Sequence, residues 1–157
     1  MTQKWPYQEG TWFAIPLRDG GYGSGLVARK AKRSKIIVSY LFGPKYLFIP
    51  GLPEVSNKNH ESSLQIIMVS SLKLMNGEWP IIGTTPEWKR DLWPMPKFLL
   101  NHGSSGISVA KYPEDDPGAA PVYEQATSED MKLSPDSLYG AGAAEILLTS
   151  LLKSPSK

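Results

Sequence analysis

The side chains able to do chemistry in this 157-residue chain are few and scattered. There is no cysteine, which removes disulfides, thiolate metal sites and cysteine nucleophiles together. The two histidines, His60 and His102, stand singly in loop-like contexts. Neither has the H-x-x-x-H or H-x-x-E spacing that sets two metal ligands on one helix face. His102 lies close to Ser104 and Ser105, and with a distant aspartate could complete a hydrolytic triad, but no G-x-S-x-G elbow presents the serine. Gly21-x-Gly23-x-Gly25 has the glycine density of a phosphate loop. A dinucleotide loop needs a helix after it, whereas these glycines are followed by strand-like residues, so they read as a turn and a bent strand. No cofactor and no metal are expected.

What remains is charge and aromatic surface. The net charge of +2 hides a gradient: residues 1–50 carry +6, residues 51–110 carry 0 and residues 111–157 carry −4. At the basic end, Arg29, Lys30, Lys32, Arg33 and Lys35 cluster at one turn, with Tyr22, Tyr40 and Tyr46 available to stack on bases. A small β-barrel with such a basic hairpin tip is one design for binding nucleic acid. At the acidic end, Glu114-Asp115-Asp116 and Glu129-Asp130 lie in a stretch rich in Pro and Gly. They suit a basic partner or a solvated loop. Five tryptophans are many for this length. Trp12 and Trp79 read as core, and Trp88 and Trp93, set among prolines, as an exposed aromatic surface of the kind that anchors interfaces.

The elements that must carry these groups are mainly β. Residues 11–17 alternate, with Phe13, Ile15 and Leu17 on one face. Pro16 has no N–H for a ladder, which predicts an edge strand or a bulge there. Arg18-Asp19-Gly20-Gly21 is a turn into a second arm over 22–30, and the apolar run 35–42 predicts a central strand. Residues 43–60 read as a loop. Residues 64–75 fit either a strand broken at Ser70-Ser71 or a helical stripe. The strand is favoured because Asn76-Gly77 signals a hairpin into 79–83. Strand pieces are expected at 97–100 and 106–112, then an irregular stretch over 113–134 with one short strand near Val122-Tyr123. Ser134 as cap, Pro135 and Asp136 predict the start of a C-terminal helix. The expected fold is mainly β (α+β): a small twisted antiparallel sheet or partly open barrel with one C-terminal helix packed on it. Residues 1–153 form a single domain and 154–157 a frayed tail. The N-terminus has no apolar stretch resembling a secretory leader, and a cytoplasmic protein is expected.

Three segments together carry a family resemblance. They are Gly10-Thr11-Trp12-Phe13-Ala14-Ile15-Pro16-Leu17 with Asp19-Gly20, Tyr22-Gly23 and Gly25; Gly77-x-Trp79-Pro80-Ile81-Ile82-Gly83; and Trp93-Pro94-x-Pro96-x-Phe98. The chain resembles the immunity protein 26 family of bacterial polymorphic toxin systems over about residues 5–100. The resemblance implies a non-enzymatic cytoplasmic protein that binds and neutralises a cognate toxin in the producing cell. It brings no catalytic residues. Gly10, Asp19-Gly20 and Gly25 are then turn residues, and Trp79-Pro80 a packing pair. A toxin with a basic cleft would be met by Glu114, Asp115, Asp116, Glu129 and Asp130, with Trp88 and Trp93 as anchors. The alternative is a small β-barrel nucleic-acid-binding protein using Arg29–Lys35. No membrane partner is expected, and oligomeric state is left open.

Overall fold

The computed structural model describes residues 5–153; the tail expected at 154–157 lies outside them. The strands are β1 (Thr11–Pro16), β2 (Tyr22–Lys30), β3 (Ile36–Tyr46), β4 (Gln65–Ser70), β5 (Ile81–Thr84), β6 (Phe98–Asn101), β7 (Ile107–Lys111), β8 (Val122–Gln125) and β9 (Leu138–Tyr139). Two short α-helices, α1 (Leu52–Val55) and α2 (Leu72–Met75), a longer one, α3 (Ala141–Leu152), and several short 3-10 turns accompany them among the described residues. An open six-stranded sheet has the order β5-β1-β2-β3-β4-β9, and β6-β7-β8 form a second sheet. The fold is mainly β with a C-terminal helix, as expected, and the six-stranded sheet does not close into a complete barrel.

Alternation does more than the sequence reading asked of it. On β1 the odd residues Phe13 and Ile15 join Val27, Ile37, Leu41, Ile67, Val69 and Trp79 in one buried cluster, and Ala144 and Leu148 of α3 cover that face. The even side is buried too: Trp12 joins Leu26, Ala28, Tyr40, Phe42, Val55 and Trp93 on the opposite face. Farther along that face, Val38 and Met68 meet Phe98 of the second sheet. A strand buried on both faces reads as a continuous apolar run. This is why β3 could be placed at the centre, where it lies between β2 and β4.

Gly23 shows how closely α3 approaches. A Cβ built there would collide with Leu148 and lie 3.2 Å from Leu152 Cδ1. Overpacking of this kind costs about 1–3 kcal/mol. Gly23→Val is therefore expected to lower the melting temperature by about 3–10 °C in a scanning fluorescence melt. An unchanged melting temperature would mean that α3 does not lie on β2.

Five local expectations are corrected. First, β1 is not an edge strand, because β5 pairs with its Thr11–Phe13 end, and the register shift falls between Trp12 and Phe13. The Leu17 N–H donates to Gly21 O, so odd residues face β2, while the Ala14 N–H donates to Pro80 O on the other side. Pro16 therefore turns its missing donor to the β5 side, beyond the last paired residue. Second, 64–75 is both things in turn: strand to Ser70, then helix from Leu72. Third, Asn76-Gly77 does not close a hairpin, because α2 intervenes and β5 crosses to pair with β1 at the far side of the sheet.

Fourth, the C-terminal helix begins after Gly140 rather than at Ser134. The Leu99 N–H donates to Ser134 O and the Asp136 N–H to Leu99 O, so this backbone is committed to β6. Leu138 and Tyr139 then pair in parallel with Met68 and Val69. Sheet pairing here outweighs the local capping preference. The expected loop at 43–60 likewise contains the end of β3 and the whole of α1.

Candidate partner-binding face

The two charged ends of the chain turn out to serve one another. Arg29 is buried, and its guanidinium donates to Ala28 O (2.7 Å), Trp93 O (3.1 Å) and Glu114 Oε1 (2.6 and 2.9 Å). Asp115 Oδ1 accepts from Arg90 Nη1 at 2.6 Å, and Arg90 also grips Glu9 at 2.8 and 3.0 Å. The Arg90 guanidinium, through its hydrogen bond and its charge, holds the Asp115 carboxyl below the usual carboxylate range. Asp116 Oδ1 accepts the N–H groups of Lys32 and Gly118, tying the acidic loop to the basic hairpin tip. Asp130 is buried, accepts from the Thr127 N–H and hydroxyl, and pairs with Lys97 at 3.3 Å. The bond from the Thr127 backbone is the main influence lowering the Asp130 pKa. Glu129 is exposed, and among the described residues its carboxylate has no ion-pair or hydrogen-bond partner.

The basic cluster is similarly engaged. Besides the buried Arg29, Lys30 Nζ lies 5.7 Å from the Trp5 ring centroid and 5.6 Å from that of Tyr7, and Lys35 Nζ lies 5.8 Å from Trp5. Tyr40 is buried and its hydroxyl donates to Pro94 O, so it is not presented to bases. Burial pushes that hydroxyl up to about 12. Lys32 and Arg33 are the members left facing solvent without such a contact.

Trp12 and Trp79 are core, as expected, with Trp79 stacked on Phe13 at 5.5 Å. The exposed-surface reading of Trp93 is corrected: it is only 6% exposed and packs edge-on against Trp12, Tyr40 and Phe42. The reason is topological, since residues 85–96 fold back across the even face of β1–β3 and need an aromatic to seal it. Trp88 is half-buried, stacks on Trp93 at 6.2 Å and donates to Glu9.

The most exposed large apolar side chains were not singled out from the sequence. Leu47 and Phe48 are 79% and 82% exposed, and Ile49 beside them is exposed as well. They occupy the connection from β3 to α1, between Pro44 and Pro50. The signal was present as three consecutive large apolar residues inside a stretch otherwise read as loop. A core strand needs a longer run, and a solvated loop needs none.

Other chemistry finds little assembly. His102 Nε2 is 3.0 Å from Ser108 Oγ on the adjacent strand, not bonded to Ser104 or Ser105, and the pair is exposed. Gly23 and Gly25 lie in β2 against Leu148 and Phe13, the bent strand anticipated. Among the described residues no group of three or more His, Cys, Asp or Glu is placed to hold a metal ion, and no helix is long and apolar enough to cross a membrane.

The open sheet thus carries an internal network of ion pairs and, on a proline-bounded loop, the exposed side chains of Leu47, Phe48 and Ile49. The family model described as immunity protein 26 matches residues 8–105, and the chain belongs to that family. The match takes in β1 to β6 and the connections between them. No curated protein and no solved structure matches the chain.

Proposed function

We propose that this protein binds a cognate toxin of a bacterial polymorphic toxin system and holds it inactive in the cytoplasm of the producing cell. It acts by stoichiometric contact, with no reaction and no cofactor of its own. The family supports the role, and the display of Leu47, Phe48 and Ile49 is the observation that carries the contact. A phenylalanine held in water forgoes about 1.5–3 kcal/mol of burial, a cost that a partner's apolar pocket recovers on binding. Aromatic side chains that enter such pockets dominate interface energies. Glu129 and the solvent sides of Glu114, Asp115 and Asp116 add long-range attraction toward a basic patch of the toxin.

The test is co-expression with the toxin encoded beside the gene. The wild-type protein is expected to restore growth and to co-purify with the toxin in fixed stoichiometry. Phe48→Ser, folded by circular dichroism, is expected to weaken the complex at least tenfold. Failure of the wild type to rescue or to bind would end this reading. Filter binding to nucleic acid at low salt tests the other class: salt-sensitive binding lost on neutralising Lys32 and Arg33 would favour it.

A further inference from the structure

The connections from β3 to β4 and from β5 to β6 come from distant parts of the chain, yet both pack on the same tryptophan cluster and leave a groove between them. Its volume is about 390 Å³, and its lining is mainly apolar. Trp12 and Trp93 form the floor, and Leu92, 60% exposed, forms one wall. Lys58 stands on one connection and Lys89 on the other. Among the described residues neither ammonium forms an ion pair, although seven other Lys and Arg side chains do. Other described cations, Lys32, Arg33, Lys132 and Lys153 among them, also lack an ion pair; Lys58 and Lys89 differ in lining this tryptophan-floored groove. His60 also lines the groove, and Glu87 is its one carboxylate. Glu87 is held at φ +51°, a left-handed conformation uncommon for a residue with a side chain. Such positions cost about 1–3 kcal/mol and cluster where a loop is shaped for binding.

We propose that this groove receives an acidic segment of the toxin, with an apolar side chain laid against Trp12, Trp93 and Leu92 and a carboxylate set between Lys58 and Lys89. The inference rests on the toxin-binding reading and assigns it a second contact, separate from Phe48. Two unpaired ammonium groups beside an apolar floor specify the occupant: the apolar part removes water, and the carboxylate supplies the missing counter-charge. Burial alone lowers the Lys58 pKa, which marks an ammonium partly stripped of water and without a partner.

The experiment measures calorimetric affinity for the toxin domain, carried as a catalytically inactive variant, at two salt concentrations. Lys58→Glu/Lys89→Glu is expected to weaken binding at least thirtyfold and to flatten its salt dependence. Lys32→Glu/Lys111→Glu has the same net charge and is expected to bind within threefold of wild type. Leu92→Ser tests the apolar wall without touching charge and is expected to weaken binding about tenfold. Circular dichroism and tryptophan fluorescence establish that each variant is folded. Unchanged affinity in the Lys58/Lys89 variant overturns the groove while leaving toxin binding intact. A loss of self-association instead, by sedimentation, also overturns it and gives the groove to a second copy. No binding by the wild type overturns the toxin reading and this inference together.

Discussion

Replacing Glu145 with alanine is expected to destabilise the protein by about 3 kcal/mol, a large part of the 5–15 kcal/mol that holds a domain of this kind together. Glu145 is a buried carboxylate on α3. Its Oε2 accepts from the Trp79 indole at 2.8 Å and from Lys73 Nζ at 3.0 Å, and its Oε1 accepts from Arg18 Nε at 3.2 Å. One side chain thus ties the helix to the β1–β2 turn, to α2 and to the core. Arg18 and Lys73 reach solvent and can be rehydrated when the carboxylate is lost, but the fully buried Trp79 N–H cannot. That orphaned donor costs about 1–3 kcal/mol, with the lost packing added to it. Glu145→Gln keeps an acceptor for Trp79 and is expected to cost about half as much. Urea unfolding followed by circular dichroism separates the two.

The same site gives a pH dependence. Burial works to raise the Glu145 carboxyl, but the bonds from Trp79 and Lys73 and the charges of Lys73 and Arg18 outweigh it and hold the pKa below the ordinary value. A carboxyl depressed in the folded state contributes its full stability above the unfolded pKa. The contribution is lost as pH falls through the folded value. The stability gap between wild type and Glu145→Gln is therefore expected to be constant near neutrality and to narrow below about pH 4. A gap that widens on acidification would contradict the assignment.

How much of this could be read beforehand follows from how far apart the interacting residues lie. The strands were legible because alternation is local, as with Phe13 and Ile15 on one face. The second buried face was not, since Trp12 and Tyr40 look like ordinary strand aromatics until residues 85–96 fold over them. The helix start misled because Ser134-Pro135-Asp136 is a good cap whose backbone is claimed by Leu99, 35 residues earlier. The Asn76-Gly77 turn is real, but the helix before it sends the chain to the far edge of the sheet. The groove was invisible for the same reason, being assembled from Lys58 and Lys89 on separate connections. The acidic and basic clusters are visible in the sequence because their members are near neighbours along the chain. That they pair with each other depends on contacts such as Arg29 to Glu114, across 85 residues.

That pairing yields an asymmetric prediction. Arg29 has a side chain 3% exposed, whereas the Glu114 side chain that meets it is 59% exposed. Arg29→Met removes a buried cation that also satisfies the carbonyls of Ala28 and Trp93. With those acceptors stranded, the expected loss is about 2–4 kcal/mol in urea unfolding. Glu114→Gln removes the opposite charge from a site already open to water and retains an acceptor, so its expected loss is below about 1 kcal/mol. Equal losses would mean that the ion pair itself, and not the two carbonyls, sets the cost. A larger loss at Arg29 would identify it as an internal strut, placed to hold the segment bearing Trp93 against β2. The basic end of the chain then stabilises the scaffold from within. Its formal +6 overstates what a partner meets, because Arg18, Arg29 and Lys45 are held in ion pairs within the fold.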